Sequence, residues 1–207
     1  MPDAAPDPGS AYALEFARAD GTGGFVRLEL RPDEGVAWYW AYLVGPETGL
    51  VVVRDHDVPL PRVGLEIRAD GLWAELICET PAEHWSFGLE AFGLRLDDPT
   101  DALAPGGEIG ERIPVGLDLE WETDLTERTA GTVRGELLVG SARIEFEGPG
   151  RFTAADHPTD WWGSGAPGPA RPRAEHASAI VPLGRGATLT RTLSTDHLGW
   201  SERLDVG

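Results

Sequence analysis

The 207-residue chain has no lysine, no asparagine and no glutamine, so every one of its 17 basic residues is arginine. Without lysine no lysine Schiff base can form. Without a side-chain amide, neither Asn nor Gln can line an oxyanion hole. Without asparagine there is no N-linked glycan. Positive charge is also scarce: 17 basic residues face 35 acidic ones, a net charge of −18. Phosphate surfaces are bound by clustered positive fields, so neither a nucleic acid nor an anionic membrane is an expected partner.

Cysteine occurs once, which excludes an intrachain disulfide. Cys78 follows Leu76 and Ile77, and that setting predicts a buried, inert thiol. No stretch approaches the ~18 apolar residues of a membrane span. Residues 1–11 are rich in Pro and Asp, lack an apolar core, and read as a disordered tail rather than a signal peptide. The expected location is cytoplasmic. No phosphate loop, dinucleotide fingerprint, nucleophile elbow or zinc spacing is present, so no cofactor and no metal is expected.

What the chain does have is strand-length alternation. Val26, Leu28 and Leu30 interleave with Arg27, Glu29 and Arg31, and Leu117, Leu119 and Trp121 with Asp118, Glu120 and Glu122. Ile144 and Phe146 alternate with Arg143 and Glu145 in the same way. A period of two marks strands with one buried and one wet face, so the arginines and carboxylates are expected in solvent. Glycine (27) and proline (17) supply turns between many short strands. Asp70-Gly71, between Leu65–Ala69 and Leu72–Thr80, is a two-residue hairpin signal. The pattern predicts an all-β antiparallel meander forming a barrel or barrel-like sandwich over residues 12–152. A Pro/Gly-rich loop is expected over 153–175, and further strands over 176–207 that complete the barrel or are exchanged in a dimer.

The candidate site residues follow from this layout. All five histidines follow an acidic residue. In a strand, neighbours point to opposite faces, so adjacency alone makes no catalytic dyad. His56, beside Asp55 and Asp57, and His84 lie at strand ends, where a barrel mouth would place polar groups against a ligand. Asp156 and His157 form another such pair. Eight tryptophans supply large rigid contact area. Trp38, Trp40, Tyr42, Trp73 and Trp85 are the expected lining of an apolar cavity.

Four runs are familiar: Arg54-Asp55-His56-Asp57-Val58-Pro59-Leu60-Pro61, Leu65 to Glu75, Glu79 to Trp85, and Gly116 to Glu122. They resemble actinobacterial proteins distantly related to the carotenoid 1,2-hydratase (hydroxyneurosporene synthase) and AttH-like group. The resemblance covers about residues 12–162. It implies a calycin (lipocalin-like) fold, usually as two barrel-like halves in one chain, and apolar polyene, terpenoid or polyketide ligands. The chain departs from that group at Ala155-Asp156-His157-Pro158-Thr159-Asp160-Trp161-Trp162, where relatives carry an Arg-Asp-His-Ser-Trp-Gly-type run before a Trp pair. The loss of that run favours binding over catalysis. Most of the second half is also missing, which predicts a homodimer that covers the vacated face.

Three functions are open at this level. The first is a binding protein for an apolar small molecule, such as a secondary-metabolite intermediate. The second is a hydratase, isomerase or cyclase in which Asp55, His56, His84, Asp156 or His157 protonates an alkene. The third is an interaction protein with a filled core.

Overall fold

The computed structural model describes residues 11–98, 109–124, 129–155, 161–164, 175–184, 187–194 and 200–206. Among these residues every regular element is a strand. Ten strands form one antiparallel meander: β1 (Ala11–Ala17), β2 (Gly23–Arg31), β3 (Val36–Gly45), β4 (Gly49–Pro59), β5 (Leu65–Ala69), β6 (Leu72–Thr80), β7 (His84–Leu96), β8 (Gly110–Thr123), β9 (Ala130–Val139) and β10 (Ala142–Ala155). β10 pairs with β1, and β4 pairs with β7 through Val51–Arg95 and Val52–Leu94, so eight strands close into a ring. The result is a calycin-like β-barrel.

The ring is flared. β7 bonds to β4 only near its C-terminal end, while residues 84–91 bond to β6 instead. The β5–β6 hairpin is therefore wedged between β4 and β7 at one end, making that end wider. Gly93 sits where β7 changes partner. A Cβ there would lie 2.7 Å from a Val115 methyl and 3.0 Å from one of Val53. Both distances are too short for ordinary packing, so glycine lets the two strands meet. Gly71, at φ +72°, completes the turn between β5 and β6, as the Asp-Gly pair predicts.

The barrel interior is one apolar cluster. It includes Leu14, Val26, Leu28, Leu30, Ile67, Leu89, Leu117, Leu119, Trp121 and Phe146, with Ile144 packed against it. In a ring of eight strands the inward side chains meet one another, as these do. The alternation thus places the apolar set where it predicts. Asp118, Glu120, Arg143 and Glu145 are exposed as expected. Arg27 and Glu29 are not: they are buried at 3% and 0% exposure. A period of two separates the faces of a strand, but it does not say whether the polar face is covered.

Three strands outrun their sequence signals. β4 continues through Asp55-His56-Asp57, with a register shift opposite Trp38, because β3 remains beside it. β8 starts at Gly110, within a Pro- and Gly-containing stretch that carries no strand alternation. β10 runs through Gly148-Pro149-Gly150 to Ala155 because its ladder with β1 continues there. Neither Gly148 nor Gly150 could carry a side chain, since β1 backbone and the Val133 side chain crowd them.

A second antiparallel sheet comprises β11 (Trp161–Ser164), β12 (Glu175–Gly184), β13 (Ala187–Ser194) and β14 (Trp200–Val206), in the order β11-β14-β13-β12. β11 lies inside the segment expected as a loop, and it runs against β2. The barrel closes without these strands.

Candidate functional site

The five aromatic residues expected around one cavity occupy three settings. Trp38, Trp40 and Tyr42 alternate with Tyr39 on β3. Tyr39 points into the barrel, and the other three point outward. There they form a second apolar cluster with Phe25, Val36, Leu50 and Val52. Trp85 faces inward at the wide end, tilted against Tyr12 (centroids 5.6 Å apart) and Phe152 (4.8 Å). Trp73 stands half-buried on the outside of β6, and its Nε1 donates to Glu66 Oε1 at 3.2 Å.

The outward cluster is laced with charge. Residues 27, 29 and 31 share one face of β2. Arg27 Nη2 and Arg31 Nη1 donate to the two carboxylate oxygens of Glu29 at 2.7 and 2.8 Å. Arg31 also donates to Glu34 through Nε at 2.7 Å. Opposite them on β3, Trp40 lies beneath the Arg27 guanidinium at 5.5 Å and Trp38 beneath that of Arg31 at 4.2 Å. Sharing Glu29 between two arginines and stacking both on indoles offsets the cost of burying charge.

His56 belongs to this face. Its ring lies edge-on to Trp38 and Trp40, 5.3 and 5.4 Å away. The residue is half-buried, yet its Nε2 is shut off from water and has no hydrogen-bond partner among the described residues. Burial, with the Arg54 charge adding to it, lowers the imidazole pKa to about 3. At neutral pH His56 is therefore uncharged and cannot donate the proton that alkene protonation needs.

The other acid–base candidates do not join it. Asp55 is opposite Tyr39 in the β3–β4 ladder, so it lies on the interior side of the sheet, away from His56. Its Oδ1 accepts the Asp57 backbone N–H at 2.9 Å, the turn-capping role open to any aspartate. His84, on β7, places Nε2 3.8 Å from Glu120 Oε2. Asp156 and His157 lie outside the described residues. Cys78 is exposed rather than buried, because β6 passes beyond its inward packing there. Partial burial and Glu79 raise its pKa, which keeps it a thiol.

A groove of about 480 Å³ opens at the wide end, where β4 passes into β5. Pro59, Leu60, Pro61 and Val63 supply its apolar wall, and Arg62, Glu66 and Arg68 its polar groups. It exists because β4 and β5 are sequence neighbours that do not pair: the chain leaves β4 at Pro59 and re-enters the sheet at Leu65. Two prolines remove backbone donors from the link and hold it off the sheet. Leu60 packs on the core below, while Val63 is 75% exposed. Glu66 ties the groove to Trp73 through their hydrogen bond. The sequence signals only that a strand ends at Pro59 and Pro61; the groove depends on the missing β4–β5 pairing, which no local pattern encodes.

No curated protein and no solved structure matches the chain. Residues 5–157 match the family model described as Domain of unknown function (DUF7064), and the chain belongs to that family.

Proposed function

We propose that this protein binds an apolar small molecule in the seam groove at the wide end of its barrel. The observation that carries the reading is the groove itself. Its volume of about 480 Å³ falls within the range of sites for drug-sized ligands, and four of its seven lining residues are apolar. The groove is lined by the β4–β5 link and by Glu66 and Arg68 of β5, not by the aromatic residues of β3. Binding is favoured over catalysis because Asp55, His56 and His84 face different surroundings and His56 is neutral at physiological pH.

Trp73 gives the test a local reporter. Its indole N–H is bonded to Glu66, so a molecule seated beside Glu66 should shift the Trp73 side-chain resonance in a ¹H–¹⁵N spectrum. Titrating decan-1-ol, geraniol and β-ionone into the full chain should move that resonance and the Leu60 and Val63 methyls, with saturation. A Val63→Asp variant should lose the effect. If all three compounds leave these signals in place, the proposal fails.

A further inference from the structure

We infer that the groove selects molecules whose apolar body ends in an anionic head, and that Arg62 holds that head; this inference rests on the binding reading above. The chain as a whole repels anions, with 35 acidic against 17 basic residues. The groove reverses that balance, bringing two arginines and a single glutamate to its lining.

The two arginines are not equivalent. Arg68 is engaged: its Nε donates to Glu66 Oε1 at 2.6 Å, and the same carboxylate accepts from Trp73. That hydrogen bond from Arg68, followed by the one from Trp73, lowers the Glu66 pKa, so Glu66 remains an anion satisfied by its own neighbours. Arg62 is exposed and has no ion pair or hydrogen bond among the described residues. A guanidinium carries five donors in a planar fork that matches a carboxylate or sulfonate with two parallel bonds. Set between Pro61 and Val63, it puts this fork at the rim of an apolar wall. The wall can cover a hydrocarbon body while the head meets Arg62.

The position also explains how an acidic protein could admit such a ligand. At physiological ionic strength the Debye length is about 8 Å, so the distant carboxylates are largely screened while a contact pair with Arg62 is not. The expected ligand class is therefore a monocarboxylate or sulfonate with a hydrocarbon body of medium length.

Isothermal titration calorimetry with decanoate and decan-1-ol separates the inference from the reading beneath it. The wild-type chain should bind decanoate at least about tenfold more tightly than the alcohol, a difference of about 1.4 kcal/mol. Added salt should weaken decanoate alone. Arg62→Gln should bring decanoate down to the affinity of the alcohol and leave the alcohol unchanged. Arg143→Gln, the same charge change on an exposed arginine outside the groove, should leave both alone. Equal affinities in the wild type, or a preference that survives Arg62→Gln, would overturn the anionic-head inference while the apolar site stands. No binding of either compound would overturn both.

Discussion

The guanidinium of Arg31 lies 4.2 Å from the centroid of the Trp38 ring, on the outside of the barrel, and bonds Glu29 two residues back on its own strand. Glu29 is fully buried and accepts from Arg27 as well, so one carboxylate is shared by two flanking cations, of which Arg31 also has Glu34. Removing it takes from two buried arginines the carboxylate they share, with Glu34 still on Arg31. Glu29→Gln should therefore cost about 3–5 kcal/mol in urea unfolding, the range for breaking a buried pair. Replacing the group together, as Arg27→Met with Glu29→Leu and Arg31→Met, should cost markedly less, since no fully buried charge is then stranded and the half-buried Glu34 keeps access to water. Glu145→Gln on an exposed position should change stability by no more than about 0.5 kcal/mol. A triple variant as unstable as Glu29→Gln would show that the ion pairs are themselves net stabilising.

His56 gives the fold a specific acid sensitivity. Its pKa is lowered to about 3 in the folded chain, chiefly by burial, against about 6.5 when unfolded. Between those values the unfolded state binds a proton and the folded state does not, so stability falls as pH falls from about 6.5 toward 3. The slope from one such group is at most about 1.4 kcal/mol per pH unit. His56→Phe keeps an aromatic ring against Trp38 and Trp40 and removes the titration. The stability difference between wild type and His56→Phe should be constant above pH 7.5 and move against the wild type below pH 6.5. Carboxylates common to both chains cancel in that difference. A difference that stays flat from pH 7.5 to 5 would show that His56 charges without penalty.

Ring closure rests on Gly93. Any side chain there meets Val115, Val53 and Val51 at once. Gly93→Leu should destabilise by about 1–3 kcal/mol through overpacking, or more if β4 and β7 separate. Hydrogen exchange should then speed up at Val51, Val52, Leu94 and Arg95 before it does so in β9 and β10. Unchanged protection at the β4–β7 junction would mean that the pairing does not depend on this close approach.

The legibility of this fold in its sequence varied with the range of the interaction. Val26, Leu28 and Leu30 could be assigned to the core because their period is local, and Asp70-Gly71 could be assigned to a hairpin because its turn chemistry is local. Arg27 and Glu29 could not be placed correctly, since a period of two separates the faces of a strand without saying whether the polar face is covered. The same limit applied to the tryptophans. Alternation put Trp38 and Trp40 opposite Tyr39 but did not say which face was the inside of a ring. Leu60, Arg62 and Val63 carried no signal at all, because the groove they line is made by a strand pairing that does not occur.

The groove also predicts a titration that can be followed without any ligand. Glu66 accepts from Arg68 and from the Trp73 indole, and both bonds favour its ionised form, lowering its pKa from the usual value near 4.5. Acidification should therefore release the Trp73 N–H from Glu66 with a midpoint below 4.5, visible as a shift of that side-chain resonance. Arg68→Gln removes the larger of the two causes and should raise the midpoint toward the ordinary carboxylate range. Trp73→Phe removes the smaller one and should raise the Glu66 midpoint less, as followed from its own side-chain carbonyl carbon. The order of the two variants is the informative result. If Trp73→Phe moved Glu66 more than Arg68→Gln, the indole rather than the guanidinium would be the group that holds this carboxylate in place beside the groove.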